Sequence, residues 1–153
     1  MEIHAVSHIA IGVRDMEKAL AFYRDVLGMR VTLDTPEEFP GIGGADPLRR
    51  RGVYLRWGEG PHASFVVLDE QLSTSPFGEP AKLFQVGVHH VSFWVDDVGA
   101  YLERAREAGF EVVVPAADGD TLAYGEAPGG VVRTAFLSDA DGNYVQLDER
   151  VGG

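Results

Sequence analysis

The chain has no cysteine in its 153 residues. That excludes a disulfide framework, a thiolate zinc site and thiol catalysis. Basic residues are also scarce: 13 Lys and Arg stand against 24 Asp and Glu, for a formal net charge of −11. Phosphate binding needs cationic surface, so nucleic acid and anionic membranes are poor partners for such a chain. Its one basic run, Arg49-Arg50-Arg51, is short and reads as a solvated loop. No stretch approaches the roughly 20 apolar residues of a membrane span. The opening residues, MEIHAVSHIA, lack the basic start and apolar run of a secretory signal. With 45% hydrophobic and 24% charged residues the composition is that of an ordinary globular domain, expected in the cytoplasm.

What is present is a repeat. His8-Ile9-Ala10-Ile11-Gly12-Val13-Arg14-Asp15 returns as His90-Val91-Ser92-Phe93-Trp94-Val95-Asp96-Asp97, 82 residues on. Both segments are apolar at every second position, Ile9, Ile11, Val13 and Val91, Phe93, Val95, which predicts strands covered on one face. The other face carries His8, Ala10, Gly12 and His90, Ser92, Trp94. Each strand is followed by a helical pattern with an aspartate at its start. Met16, Ala19, Leu20, Tyr23 and Leu27 fall at helical spacing before Gly28, as do Val98, Leu102, Ala105 and Ala108 before Gly109. Further strands are expected at 29–33, 53–57, 65–70 and at 110–114, 132–137, 144–149. The last of each half match as Leu68-Asp69-Glu70 and Leu147-Asp148-Glu149. Proline- and glycine-bearing stretches at 35–51, 71–86 and 116–130 read as loops. The expected organisation is a first module at 1–70, a linker at 71–86 and a second module at 87–150 within one structural domain.

The fold class is therefore α+β: two strand–helix–strand–strand–strand (βαβββ) modules forming a curved mixed sheet around a central cleft. In a chain with five histidines, composition does not account for a pair at corresponding positions of a repeat. Small neighbours, Ala10 and Ser92, leave room beside them. Neutral imidazole is the commonest metal ligand, and metal sites draw such groups from separate elements.

These segments resemble the vicinal oxygen chelate superfamily, which includes glyoxalase I, extradiol dioxygenases, bleomycin and fosfomycin resistance proteins and methylmalonyl-CoA epimerase. The resemblance is carried by His8-Ile9-Ala10-Ile11, by Ala19-Leu20-Ala21-Phe22-Tyr23-Arg24-Asp25-Val26-Leu27-Gly28-Met29, by His89-His90-Val91-Ser92-Phe93 and by Asp139-Ala140-Asp141-Gly142-Asn143-Tyr144-Val145-Gln146-Leu147. It implies paired βαβββ modules around a divalent metal (iron, manganese, zinc or nickel) that chelates oxygens of a small-molecule substrate. It also implies homodimerisation. The family's two strand histidines match His8 and His90, and its last-strand carboxylate falls on Gln146. The fourth ligand of some members falls on Val67. The tyrosine of extradiol enzymes falls on Phe136.

The implied function is a metal-dependent dioxygenase, lyase or isomerase with the ion as Lewis acid. A metal-free protein that sequesters a small molecule, as in antibiotic resistance, is the alternative, because Gln146, Val67 and Phe136 thin out the catalytic apparatus. His62 and Tyr124 are candidates for acid–base roles, with a surface loop as the other reading of His62. Trp94, Phe136 and Tyr144 are placed to stack on a planar substrate, or to pack. Arg133 and Arg56 lie in mid-strand, either to bind a substrate carboxylate or to pair with nearby acids. His4 is expected to face solvent, and His89 to point away from the His90 face.

Overall fold

The computed structural model describes residues 2–41, 43 and 45–152. The chain divides into two units, one ending at Gly78 and the other beginning at Glu79, a boundary inside the segment 71–86. The first unit runs through β1 (His8–Val13), α1 (Met16–Leu20), β2 (Arg30–Phe39), β3 (Leu48–Arg56) and β4 (Phe65–Gln71). The second repeats that order with β5 (Val91–Trp94), α2 (Val98–Glu107), β6 (Val112–Asp120), β7 (Val131–Ser138) and β8 (Tyr144–Val151). Each unit forms a four-stranded mixed sheet, ordered β1-β4-β3-β2 and β5-β8-β7-β6. In both, the first strand runs parallel to the last and the remaining pairs are antiparallel. The fold is thus α+β with two βαβββ modules, as the repeat predicts.

Carboxylates fasten each helix at its start. Asp15 accepts from the Lys18 N–H at 3.1 Å and Asp97 from the Ala100 N–H at 3.0 Å, the side-chain N-caps that the sequence pattern predicts. A second carboxylate reaches over from the last strand of the same unit. Glu70 Oε1 accepts from the Met16 N–H at 3.2 Å, and Glu149 Oε2 accepts from the Val98 N–H at 2.8 Å. The repeated Leu-Asp-Glu tail therefore satisfies an orphan donor and complements the helix dipole in both units. Met16, Leu20, Phe22 and Val26 then bury against Val53, Leu55, Val66 and Leu68 in the first unit. Val98, Leu102 and Ala105 bury with Ala135, Leu137, Val145 and Leu147 in the second.

The first helix changes pitch. Beyond Leu20, residues Ala21–Val26 close wider, five-residue turns, with Leu27 N–H donating to Phe22 C=O at 2.9 Å, and past its end Met29 N–H reaches six residues back to Tyr23 C=O at 3.1 Å. Within this wider turn the adjacent Phe22 and Tyr23 are both 0% exposed. Gly28, at φ +75°, ends the segment in the left-handed conformation that glycine adopts without cost.

Two expected loops are shorter than the sequence suggests. Residues 35–51 are in large part strand: β2 continues to Phe39 and β3 starts at Leu48, with Glu37 opposite Arg50 and Phe39 opposite Leu48. Arg49-Arg50-Arg51 is strand rather than solvated loop. Arg50 is half-buried between Glu37 and Asp69, and Arg51 pairs with Asp34 at 2.7 Å and Glu17 at 2.8 Å. Opposite charges facing across an antiparallel pair support it where no apolar alternation does. Pro36 is tolerated because β2 is an edge strand. In the second unit β6 extends to Asp120, its register shifting on both sides of Val114.

Candidate metal and substrate site

In each unit one sheet face is covered by the helix and the other is open. Register fixes which residues share a row of the open face. Ala10, Val67, Tyr54 and Leu33 form one row in the first unit, followed by Gly12, Asp69, Gly52 and Thr35. The corresponding rows of the second unit are Ser92, Gln146, Phe136 and Val114, then Trp94, Asp148, Thr134 and Ala117. His8 is the first residue of β1, opposite Phe65, and His90 immediately precedes β5.

The second unit's row is built around Asp148, which is only 4% exposed. Ser92 Oγ donates to its Oδ2, and Gln146 Nε2 donates to its Oδ1 at 2.7 Å. A carboxylate accepts and does not donate, so this contact fixes the Gln146 amide with nitrogen toward Asp148 and Oε1 directed elsewhere. Burial, reinforced by the Asp148 charge and a hydrogen bond to it, pushes the Tyr124 phenol up and keeps its proton in place. Trp94 packs on Tyr124 with ring centroids 5.1 Å apart, and the Arg150 guanidinium lies 4.5 Å from the Trp94 ring centre.

His90 Nδ1 lies 2.9 Å from His89 Nδ1, so one ring donates a proton there and the other accepts. Because β5 starts only at Val91, His89 has not turned to the opposite sheet face as strand alternation would require. The two rings instead sit side by side at 4.7 Å. Burial, helped by the neighbouring His89, lowers the pKa of His90 and favours its neutral form. The Phe136 edge meets the His90 ring at 5.4 Å. In the first unit His8 Nδ1 faces Ser7 Oγ at 3.3 Å, and its ring stacks on Phe65 at 5.1 Å. With both Nδ1 atoms engaged, Nε2 is the nitrogen left to each of the two histidines.

The remaining predicted residues separate clearly. Trp94, Phe136 and Tyr144 share strand parity with Gln146, and Tyr124 joins them through its contacts with Trp94 and Asp148. Arg133 has the opposite parity and pairs with Asp118 at 2.8 Å and Glu149 at 3.7 Å on the helix side. His62 lies between β3 and β4 and stacks on His4 at 4.7 Å.

Counterpart positions in the first unit hold different chemistry. Val67, 3% exposed, stands where Gln146 stands in the second. Asp69 stands where Asp148 does, but it meets Arg50 Nη1 as an ion pair by distance, without satisfactory hydrogen-bond geometry. Arg50 also donates to Glu37 at 2.9 Å, and the Tyr54 hydroxyl donates to Glu37 at 2.8 Å. Burial raises the Asp69 pKa, opposed by Arg50. Gly52 leaves the room for this cluster, since a Cβ there would come within 2.7 Å of Glu37 Oε2. Sequence reasoning overlooked this network and the orienting role of Asp148. The available signal was the repeated Leu-Asp-Glu tail, whose aspartates fall on the open face by parity.

The motif Asp139-Ala140-Asp141-Gly142-Asn143 is a structural turn. Asp139 accepts from the Asp141 N–H at 2.9 Å, the Asn143 N–H at 2.8 Å and Asn143 Nδ2 at 2.9 Å, joining β7 to β8 so that Gln146 emerges on the open face. Among the described residues no three histidine, aspartate or glutamate side chains gather as a metal cage. No helix among them is long and apolar enough to cross a membrane.

Residues 5–147 match the model of the Glyoxalase/Bleomycin resistance protein/Dioxygenase superfamily. The chain belongs to that superfamily. It is 27% identical over 146 residues to a lactoylglutathione lyase of Haemophilus influenzae, covering 94% of this chain and 91% of the relative. To an ethylmalonyl-CoA/methylmalonyl-CoA epimerase of Cereibacter sphaeroides it is 32% identical over 117 residues, covering 72% and 75%. Among solved structures, a glyoxalase family protein from Bacillus cereus superposes with a TM-score of 0.79 at 16% identity, covering 99% of this chain and 97% of that one. Superfamily membership accounts for the paired modules of the fold.

Proposed function

We propose that this chain is a divalent-metal enzyme of the lyase or isomerase type, acting on a small oxygen-bearing molecule. His8, His90 and Gln146 hold the ion. The observation that carries this reading is the state of their donor atoms. Both histidines have Nδ1 engaged and Nε2 without a partner among the described residues, and Asp148 turns the Gln146 amide so that Oε1 is its open end. Such hydrogen bonds behind ligands are how metal sites orient their first shell. Two imidazole nitrogens and one amide oxygen fit iron, manganese, zinc or nickel.

A bound divalent ion would polarise a substrate carbonyl and stabilise charge on its oxygen. The chain's own groups then bind and shield. Trp94 and Phe136 offer ring surface to a planar substrate, and Tyr124 keeps its proton facing Asp148. The lyase and the epimerase among its relatives favour rearrangement over oxidation, and Phe136 has no hydroxyl with which to assist oxygen chemistry. A homodimer working in the cytoplasm belongs to the same reading.

The test is a competition titration of Mn²⁺, Ni²⁺, Zn²⁺ and Fe²⁺ against a chelating fluorophore, with wild type, His8→Ala and His90→Ala. Stoichiometric binding is expected, weakened in either variant by more than the about 100-fold ceiling typical of outer-shell mutations. Gln146→Glu is expected to bind more tightly, because a carboxylate cancels part of the ion's charge. Binding indifferent to both histidine variants would overturn the proposal.

A further inference from the structure

The first unit holds a cavity of about 650 Å³ beside the start of β1, lined among others by His4, His62, Arg30, Arg56, Glu59 and Phe65. Its charge is unlike that of the chain around it. The protein as a whole carries −11, while here two guanidiniums and two imidazoles meet one carboxylate. That carboxylate is weakly committed: Glu59 lies 3.6 Å from Arg30, with the two side chains 90% and 61% exposed.

Arg56 is the fixed element. Its guanidinium lies 4.3 Å from the Phe65 ring centre, and Nη1 donates to Ala63 C=O at 2.9 Å. Arg50, Arg51, Arg133 and Arg150 all pair with carboxylates, whereas Arg56 pairs with none among the described residues. Stacking and one carbonyl contact hold the fork while leaving most of its five N–H donors free for a planar or tetrahedral oxyanion. His4 and His62, which also line the cavity, stack at 4.7 Å with ring planes 20° apart and bring two imidazoles with N–H donors to the same wall. Phe65 ties this cavity to His8. His8, Phe65 and Arg56 are register partners on β1, β4 and β3, and the one ring stacks with both the imidazole and the guanidinium.

We infer that this cavity anchors an oxyanion, carboxylate or phosphate, at the far end of the substrate whose reacting oxygens meet the centre at His8. The inference rests on the metal-centre reading above. It narrows the substrate to an anionic molecule with its charge a few bonds away from the reacting group. A volume of about 650 Å³ accommodates more than the oxyanion itself, including the chain that carries it.

The test titrates inorganic phosphate and malonate separately into metal-free protein while following histidine ring signals by NMR. Saturable shifts at His4 and His62 are expected, with the tighter of the two anions identifying the preferred oxyanion, and neutral malonamide is expected to give none. Arg56→Gln is expected to weaken binding about tenfold, as loss of a charge-assisted hydrogen bond implies. Arg30→Gln, at an exposed position, gives a second variant that does not threaten folding. Absence of saturation with both anions, or affinity unchanged in both variants, overturns the site. Adding Mn²⁺ then separates the two readings. Enhanced ³¹P relaxation of bound phosphate, lost in His8→Ala, is expected. Retained histidine shifts without Mn²⁺ binding would overturn the metal centre and leave the anion site standing. Binding of Mn²⁺ through His8 without anion shifts would do the reverse.

Discussion

Asp69 and Asp148 occupy the same place in their two modules, on the last strand and facing away from the helix, yet they keep different company. Asp148 accepts from the neutral donors Ser92 and Gln146 and thereby fixes which end of an amide is open. Asp69 is matched by the Arg50 cation, which also binds Glu37, so the first unit's carboxylate serves a closed ion cluster. Val67 is fully apolar where Gln146 is polar. The scaffold repeats in both modules, down to Glu70 and Glu149 at the helix starts, while the open faces differ: one carries Gln146 and the Asp148 that orients it, the other an ion cluster and the cavity beside Arg56.

The sharpest way to break this contrast is Arg50→Ala. It leaves Asp69 and Glu37 facing one another without their shared cation, and about 3 kcal/mol of stability is expected to be lost in urea denaturation at neutral pH, as when one partner of a part-buried pair is removed. Burial already raises the Asp69 pKa in the intact protein. Its charged form is the costly one, so the deficit of the variant should shrink as pH falls through the folded-state pKa.

Next in size is the paired comparison of Asp148→Asn with Asp69→Asn. The first is expected to lower divalent-metal affinity by about tenfold, the low end for an orienting partner. The second should leave affinity unchanged and move only stability. Equal effects on metal affinity would erase the distinction between the two faces.

The smallest expected effect belongs to the β2–β3 hairpin. The Arg51 hydrogen bond holds the Asp34 carboxyl below its ordinary value of 3.8. A depressed carboxylate stabilises above its unfolded-state pKa and loses that contribution as pH falls through the folded one. Asp34 is 40% exposed, so Asp34→Asn should cost no more than about 0.5 kcal/mol at pH 7. The difference from wild type should shrink as pH falls below 3.8 and vanish only once the depressed folded-state value is passed, read by urea melts across the acid range.

The modular fold was legible because it rests on local signals that occur twice: alternation in the first strand, Asp15 and Asp97 as caps, Gly28 and Gly109 as stops. The far half of the β2–β3 hairpin was not, because its pairing is carried by Glu37–Arg50 and Asp34–Arg51, and charged residues in a row look like loop until their partners are known. Strand parity put Trp94, Phe136 and Gln146 on one face. It also sends Arg133 to the other side, which its mid-strand position alone did not reveal. The direction of the Gln146 amide lies beyond any pattern of periods, since it depends on a rotamer chosen by a carboxylate two residues away.

The wide turn at Ala21–Val26 bears on how such a chain tolerates change in length. A helix that crosses from one edge strand of a sheet to the other has its ends fixed by the sheet, so a residue added or removed within it ordinarily rotates everything downstream. A five-residue turn takes up one residue locally, between the fixed points of Asp15 and Gly28. Arg24 and Asp25, exposed and bonded to each other, mark where a single-residue deletion would convert this stretch to a regular helix while leaving β1 and β2 in place at the two edges of the sheet. The crossover of the first module is thus the place where a change in length can be absorbed locally.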